Sequence, residues 1–137
     1  MFLLDTCVCI DFLRGAMPNV LALLRTHEPS DIAIPTVVEA ELKLGALKSA
    51  HPDENMALVE QFLVPFESVP FDSAAAALYA RIRADLERRG MCIGPNDLLI
   101  AATARAHSAT LVTNNVREFK RVEGLRIENW AEASLAS

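Results

Sequence analysis

The chain opens on an unbroken apolar run, Met1-Phe2-Leu3-Leu4, that stops at an acid, Asp5. A short apolar stretch with no polar face reads as a strand covered on both sides. Two more such runs follow, Ile32-Ala33-Ile34 before Pro35 and Thr110-Leu111-Val112-Thr113, and stretches of helical spacing lie between them. Short buried strands alternating with helices imply an α/β fold, a mostly parallel sheet with helices on both faces. In open sheets of this kind ligands bind beyond the C-terminal strand ends. Asp5 stands at such an end.

Local signals bound the helices. Residues 7–14 read as a short helix ending at Gly15, and Pro18 opens another to about His27. Over residues 36–49 the apolar positions Val37, Val38, Leu42, Leu44 and Leu47 recur with helical spacing. Asp53 begins a further helix that Pro65 ends, and residues 66–71 alternate as an edge strand should. Asp72 or Ser73 caps a long helix over residues 74–89, terminated by Gly90. Pro95-Asn96-Asp97 opens a helix to about His107, and Arg126-Ile127-Glu128 is the last expected strand.

At 137 residues the chain is expected to form one domain, burying about two-thirds of its unfolded surface without a disulfide. Its apolar content is 52%, yet no run approaches the roughly 20 residues of a membrane span. The surplus fits a covered protein surface. No basic leader or cleavage site is visible, so cytoplasm is the expected location. Cys7, Cys9 and Cys92 make an odd count without zinc-site spacing, and are expected as reduced, packed thiols. A net charge of −5 argues against holding nucleic acid by bulk electrostatics. An acidic protein can still cut nucleic acid if metal ions carry the positive charge.

Asp5 alone has two explanations: it accepts hydrogen bonds from the backbone opening the next helix, Thr6 onward, or it is a ligand. Asp97 shares that ambiguity, because a carboxylate in a first helical turn is favoured by free N–H groups and the macrodipole. Its helix continues Leu98-Leu99-Ile100-Ala101-Ala102, apolar nearly all round, and so lies against the sheet with Asp97 aimed at the strand ends. Glu41 falls four residues after Val37 and three before Leu44, so it is expected on the inward stripe, with Glu39 at the surface. A carboxylate there needs a partner, and a cation shared with Asp5 and Asp97 would supply one. The segment Thr113-Asn114-Asn115-Val116-Arg117-Glu118-Phe119 reads either as an Asn-rich turn or as a second strand end presenting hydroxyl, amide and carboxylate groups. Three acids and such a loop, without a nearby histidine, fit oxygen-only ligation of Mg²⁺ or Mn²⁺ rather than zinc.

Four segments together resemble the PIN-domain ribonucleases, and within them the VapC toxins of bacterial toxin–antitoxin pairs. They are Phe2-Leu3-Leu4-Asp5-Thr6, Glu39-Ala40-Glu41-Leu42-Lys43-Leu44-Gly45-Ala46, Gly94-Pro95-Asn96-Asp97-Leu98-Leu99-Ile100-Ala101 and Leu111-Val112-Thr113-Asn114-Asn115-Val116-Arg117-Glu118-Phe119. The resemblance implies a three-layer α/β/α sandwich around a short, mostly parallel sheet, with residues 1–137 as one domain. It implies a Mg²⁺-dependent endoribonuclease, Mn²⁺ substituting, with Asp5, Glu41 and Asp97 as metal ligands and catalytic acids. Glu118 is expected in the fourth acidic role, because the loop carries the neutral Asn115. Thr6, Thr113, Asn114, Asn115 and Arg117 are expected to position substrate. Position 7 is cysteine where these toxins commonly have Asn, which removes the ground for expecting a polar contact there.

On that resemblance, clustered carboxylates hold one or two Mg²⁺ ions that lower the pKa of a bound water and stabilise charge on the phosphate. Glu41 or Asp97 would take the water's proton, leaving a 5′-phosphate and a 3′-hydroxyl. Arg117, Lys120, Arg121 and Arg126 are expected either to gather beside the site and steer phosphates or to form a solvated basic loop. Arg81, Arg83, Arg88 and Arg89 are expected as solvated surface. The implied substrate is structured RNA such as tRNA, cut in a single-stranded loop. The implied partner is a cognate antitoxin in a groove walled by residues 18–27 and 36–64, with a homodimer and toxin–antitoxin hetero-oligomers. A haloacid-dehalogenase phosphotransferase would need an acid where Cys7 stands. The alternative that Asn115 keeps open is a catalytically inactive PIN-fold binding module for a protein or nucleic-acid partner.

Overall fold

In a computed structural model of the chain, the described residues are 1–15 and 26–130. Strand β1 (Phe2–Leu4) runs into helix α1 (Thr6–Leu13), and a 3-10 turn (Pro29–Asp31) leads to β2 (Ile32–Pro35). Helices α2 (Thr36–Leu47) and α3 (Pro52–Leu63) follow, then β3 (Glu67–Val69), α4 (Ser73–Arg88) and α5 (Pro95–Ala106). The chain continues through β4 (Thr110–Val112), the four-residue α6 (Val116–Phe119) and β5 (Arg126–Glu128). The helix expected from Pro18 falls almost wholly on residues 16–25, outside the described residues. Among the described residues no helix is long and apolar enough to cross a membrane.

All five strands pair in parallel, in the order β3-β2-β1-β4-β5. Leu3 lies opposite Ala33 on one side and Leu111 on the other, so the apolar run at the start of the chain is the central strand. Its Leu3 and Leu4 are fully buried, as a strand with no polar face requires. The chain steps outward from β1 through β2 to β3, then crosses back to place β4 on the other flank of β1. In an open parallel sheet such a reversal opens a crevice at the C-terminal strand ends. Asp5 ends β1 and Thr113 ends β4, so both sit at that crevice. Backbone bonds continue past the strands to fix them, the Asp5 N–H donating to Val112 at 2.9 Å and the Thr113 N–H to Glu128 at 3.0 Å.

The helix of Asp97 is buried as expected: Leu98, Ile100, Ala101, Ala102, Thr103 and Ala104 are all inside, with α4 packed against it. Asp72 caps α4 by accepting the Ala75 N–H at 3.0 Å, and Gly90, at φ +63, ends it in the left-handed conformation that favours glycine. Two expectations are corrected. The buried face of α2 is Val38, Leu42 and Ala46, whereas Leu44 and Leu47 are 56% and 63% exposed, so Glu41 flanks the buried face instead of sharing a stripe with Leu44. The apolar residues of α2 divide between two faces, one buried and one exposed. Of the three free cysteines, Cys9 is buried and Cys7 half-buried, but Cys92 is exposed rather than packed.

Candidate active site

Asp5 is 4% exposed, and donors surround it. Its Oδ1 accepts the Thr6 N–H at 2.8 Å, so the plain strand-end explanation holds for one oxygen. Its Oδ2 accepts the Thr113 hydroxyl at 2.7 Å and the Cys7 thiol at 3.2 Å. A carboxylate offers roughly four acceptor positions. Among the described residues three are filled, and the one left is on Oδ1. Position 7 thus makes a polar contact even with cysteine there. Burial, and then the charge of Asp5, push the Cys7 thiol up to about 11, so it stays protonated at neutral pH and donates.

The same donors tie three elements together. Thr113 is fully buried and accepts the Asn115 N–H at 2.9 Å through the hydroxyl that donates to Asp5. The Thr6 hydroxyl donates to Glu41 Oε1 at 3.0 Å, joining α1 to α2. Asn114 donates to Asp11 Oδ2 at 2.7 Å, while its own buried Oδ1 has no partner among the described residues. Of the residues expected to position substrate, Thr6, Thr113, Asn114 and Asn115 therefore contact acids of this chain, and Arg117 is exposed on α6.

Across the crevice the first turn of α5 carries Asp97, half-buried, folded over Gly94 so that a Cβ there would stand 3.3 Å from Oδ2. Glu118 clamps this turn to α6: its Oε1 accepts the Gly94 N–H at 2.9 Å and its Oε2 the Asn115 amide. Burial, then the charges of Asp5 and Glu118, a hydrogen bond with Glu118 and the charge of Glu41 push Asp97 up to about 7. Against a burial penalty, Glu118 is held below its ordinary value by the Gly94 N–H, the Asn115 amide, Asp97 and Arg121. The proton of the pair belongs on Asp97. Asp97 thus feels the charge of each of the other three acids expected with it, Asp5, Glu41 and Glu118.

As they stand, no three of the described His, Cys, Asp or Glu side chains are close enough to hold an ion. The chemistry fits a hard divalent cation nonetheless. The acids offer oxygen alone, Asp5 keeps one acceptor position open, and the neighbours of Asp97 oppose its ionisation in a way that a cation would relieve. Arg121 lies beside them, donating to the Cys92 carbonyl at 3.0 Å, and Lys120 is exposed after α6. Arg126 is a correction: it opens β5 level with Thr110, at the opposite end of the sheet, and donates to the Ser108 carbonyl. On α4, Arg83 pairs with Glu87 and both Arg88 and Arg89 with Asp85, each at 2.7 Å, a self-neutralising surface as expected. Beside Glu41 a cavity of 350 Å³ opens between α1, α2 and α3, lined by Ile10, Leu13, Arg14, Leu42 and Val59 among others.

Sequence reasoning missed Cys7, Asp11 and Gly94. A signal existed for two of them: Cys7 and Asp11 are four residues apart and share one face of α1, whose N-terminus Asp5 caps.

The sequence model of the PIN domain matches residues 2–125. Ribonuclease VapC2 of Rickettsia felis is 40% identical over 132 residues, covering 94% of this chain and 97% of that protein. The tRNA(fMet)-specific endonuclease VapC of Shigella flexneri is 39% identical over 130 residues, covering 95% and 98%. The crystal structure of VapBC2 from Rickettsia felis bound to a DNA fragment from its promoter shares the fold at a TM-score of 0.89 and 37% identity, covering 94% of this chain and 98% of that one.

Proposed function

We propose, from the premise that this chain belongs to the PIN-domain family and within it to the VapC ribonucleases, that it is a Mg²⁺-dependent endoribonuclease toxin restrained by a cognate antitoxin. The observation that carries the reading is the pairing of Asp5, gripped by three donors with one acceptor position left, with Asp97, pushed up to about 7 in part by the acids around it. Such a site is short of positive charge. Asp5, Asp97 and Glu41 would hold Mg²⁺, or Mn²⁺ in its place.

Bound there, the ion would supply an activated water and charge stabilisation at the phosphate. The chain's residues do the rest. Thr6 fixes Glu41 by Oε1, and Glu41 Oε2 or Asp97 would take a proton from the attacking water. Glu118 and Asn115 hold the turn that carries Asp97. Arg117, Lys120 and Arg121 draw phosphates toward the crevice. Substrate contacts by Asn114 and Asn115 would come through atoms their acid partners leave free.

The tRNA specificity of the Shigella relative supports structured RNA, tRNA foremost, cut where a loop exposes the backbone. The VapBC complex supports an antitoxin, and the apolar cavity beside Glu41, edged by Arg14, is where its segment would lie. A homodimer, a toxin–antitoxin hetero-oligomer and a cytoplasmic location complete the reading. The inactive binding module is weaker, because Glu118 brings a carboxylate to the loop where Asn115 is neutral.

The test is cleavage of tRNA and total cellular RNA by the purified chain with Mg²⁺, with EDTA and as Asp5→Asn. Cleavage with Mg²⁺ alone, lost in EDTA and in the variant, and leaving 5′-phosphate ends, is expected. Undiminished cleavage in EDTA, or cyclic-phosphate ends, overturns the metal–water reading; no cleavage of any RNA favours the binding module.

A further inference from the structure

We propose that Cys7 is a positioning residue that makes Asp5 a one-oxygen ligand and thereby sets a preference for Mg²⁺ over Ca²⁺, an inference that rests on the metal-dependent reading above. Oδ2 of Asp5 accepts from two side chains, the Thr113 hydroxyl at 2.7 Å and the Cys7 thiol at 3.2 Å. Two donors fill both acceptor positions of that oxygen. Oδ1, whose donor among the described residues is the Thr6 N–H at 2.8 Å, keeps one. A cation can therefore be met by Oδ1 alone.

That restriction separates the two alkaline-earth ions. Mg²⁺ takes six compact ligands in octahedral array and is satisfied by single carboxylate oxygens. Ca²⁺ takes more oxygens at longer distance and often both oxygens of one carboxylate. Were Thr113 the sole donor, Oδ2 would keep a position for the second contact. The thiol removes it.

Cys7 is also held in place to do this. Its sulfur lies 3.8 Å from Thr113 Oγ1, at the start of the loop after β4. One turn further along α1, Asp11 accepts the Asn114 side chain at 2.7 Å. The first two turns of α1 are thus fastened to the loop after β4, and the thiol cannot leave Asp5 without loosening that junction. A cysteine present only to fill space would have no bearing on ion choice.

The experiment measures Mn²⁺ binding by electron paramagnetic resonance, with no RNA present, in the native chain and in Cys7→Ala, Cys7→Val, Cys7→Ser and Asp5→Asn. Mg²⁺ and Ca²⁺ then compete for the site. In Cys7→Ala the competition is expected to shift toward Ca²⁺ by about 3- to 10-fold, the weight of one hydrogen bond. Cys7→Ser, whose hydroxyl donates to the same oxygen, is expected to keep the native ratio. Cys7→Val restores the volume without a donor and should follow Cys7→Ala, which covers the case that the alanine variant fails to fold. An unchanged ratio in Cys7→Ala and Cys7→Val, or a serine variant that behaves like them, overturns the inference. If native Mn²⁺ binding is still lost in Asp5→Asn, the proposed function survives that result. A native chain with no saturable Mn²⁺ binding removes both.

Discussion

Asp5 and Asp97 face the same crevice, yet the two sides treat their acids in opposite ways. On the β1 and β4 side, Asp5 meets a backbone N–H, a hydroxyl and a thiol. On the α5 and α6 side, Asp97 meets the charges of Asp5, Glu118 and Glu41 and is pushed up to about 7, with burial the largest cause. The first side is a finished anchor, since a buried carboxylate with three donors has its solvation replaced. The second lacks something positive. The contrast locates the missing charge on the Asp97 side and the fixed geometry on the Asp5 side.

The largest effect that would break this contrast is loss of the anchor. Asp5→Asn is expected to lower RNA cleavage by about 10³-fold, and to cost about 1–3 kcal/mol, because an amide placed among donors leaves some of them unpaired. Asp97→Asn should lower cleavage by about 10²-fold but behave oppositely in stability. The unfolded carboxyl ionises near 3.8 and the folded one near 7, so between those values the folded chain binds more protons and loses stability as pH rises. Removing the acid should therefore raise the melting temperature of the metal-free protein above pH 7 and leave it unchanged near pH 4. With allowance for solvent screening of this half-exposed group, the gain is about 1 kcal/mol, or roughly 4 °C. A variant equally destabilised at both pH values would erase the contrast.

Smaller changes sharpen it. Thr113→Val keeps the volume but takes a donor from Asp5 and the acceptor from the Asn115 N–H, so a loss of about 1–3 kcal/mol is expected in thermal melts. Cleavage should fall about 10- to 100-fold. Gly94→Ala touches the other side, where its Cβ would stand 3.3 Å from Asp97 Oδ2. The end of a side chain can shift, so cleavage should fall about 3-fold with stability within about 0.5 kcal/mol.

Much of this was legible because it follows from local pattern. An apolar run with no polar face gave the central strand and placed Asp5 at its end; the all-round apolarity after Asp97 gave a helix laid on the sheet. What stayed hidden depends on contacts between distant residues. The strand order that brings Thr113 to Asp5 joins positions 108 apart, and the Glu118 bond to Gly94 joins positions 24 apart. Periodicity alone carries neither. Leu44 and Leu47 misled for a related reason: an apolar residue on a helix signals a covered face, but not whether this chain or another covers it. Arg126 misled because closeness in sequence to Arg121 hid a full strand length between them. Cysteine at position 7 signals no polar contact by residue type, although a protonated thiol is still a donor.

The claim that one side is an anchor and the other awaits a cation is met most directly by calorimetric titration of the RNA-free, antitoxin-free chain with Mn²⁺, near pH 6 and near pH 8.5, in buffers of different protonation enthalpy. Asp97, at about 7, must give up its proton to bind. Saturable binding is predicted, releasing about 0.9 proton near pH 6 and almost none near pH 8.5. Absence of binding, or binding with the same proton release at both pH values, would contradict the account.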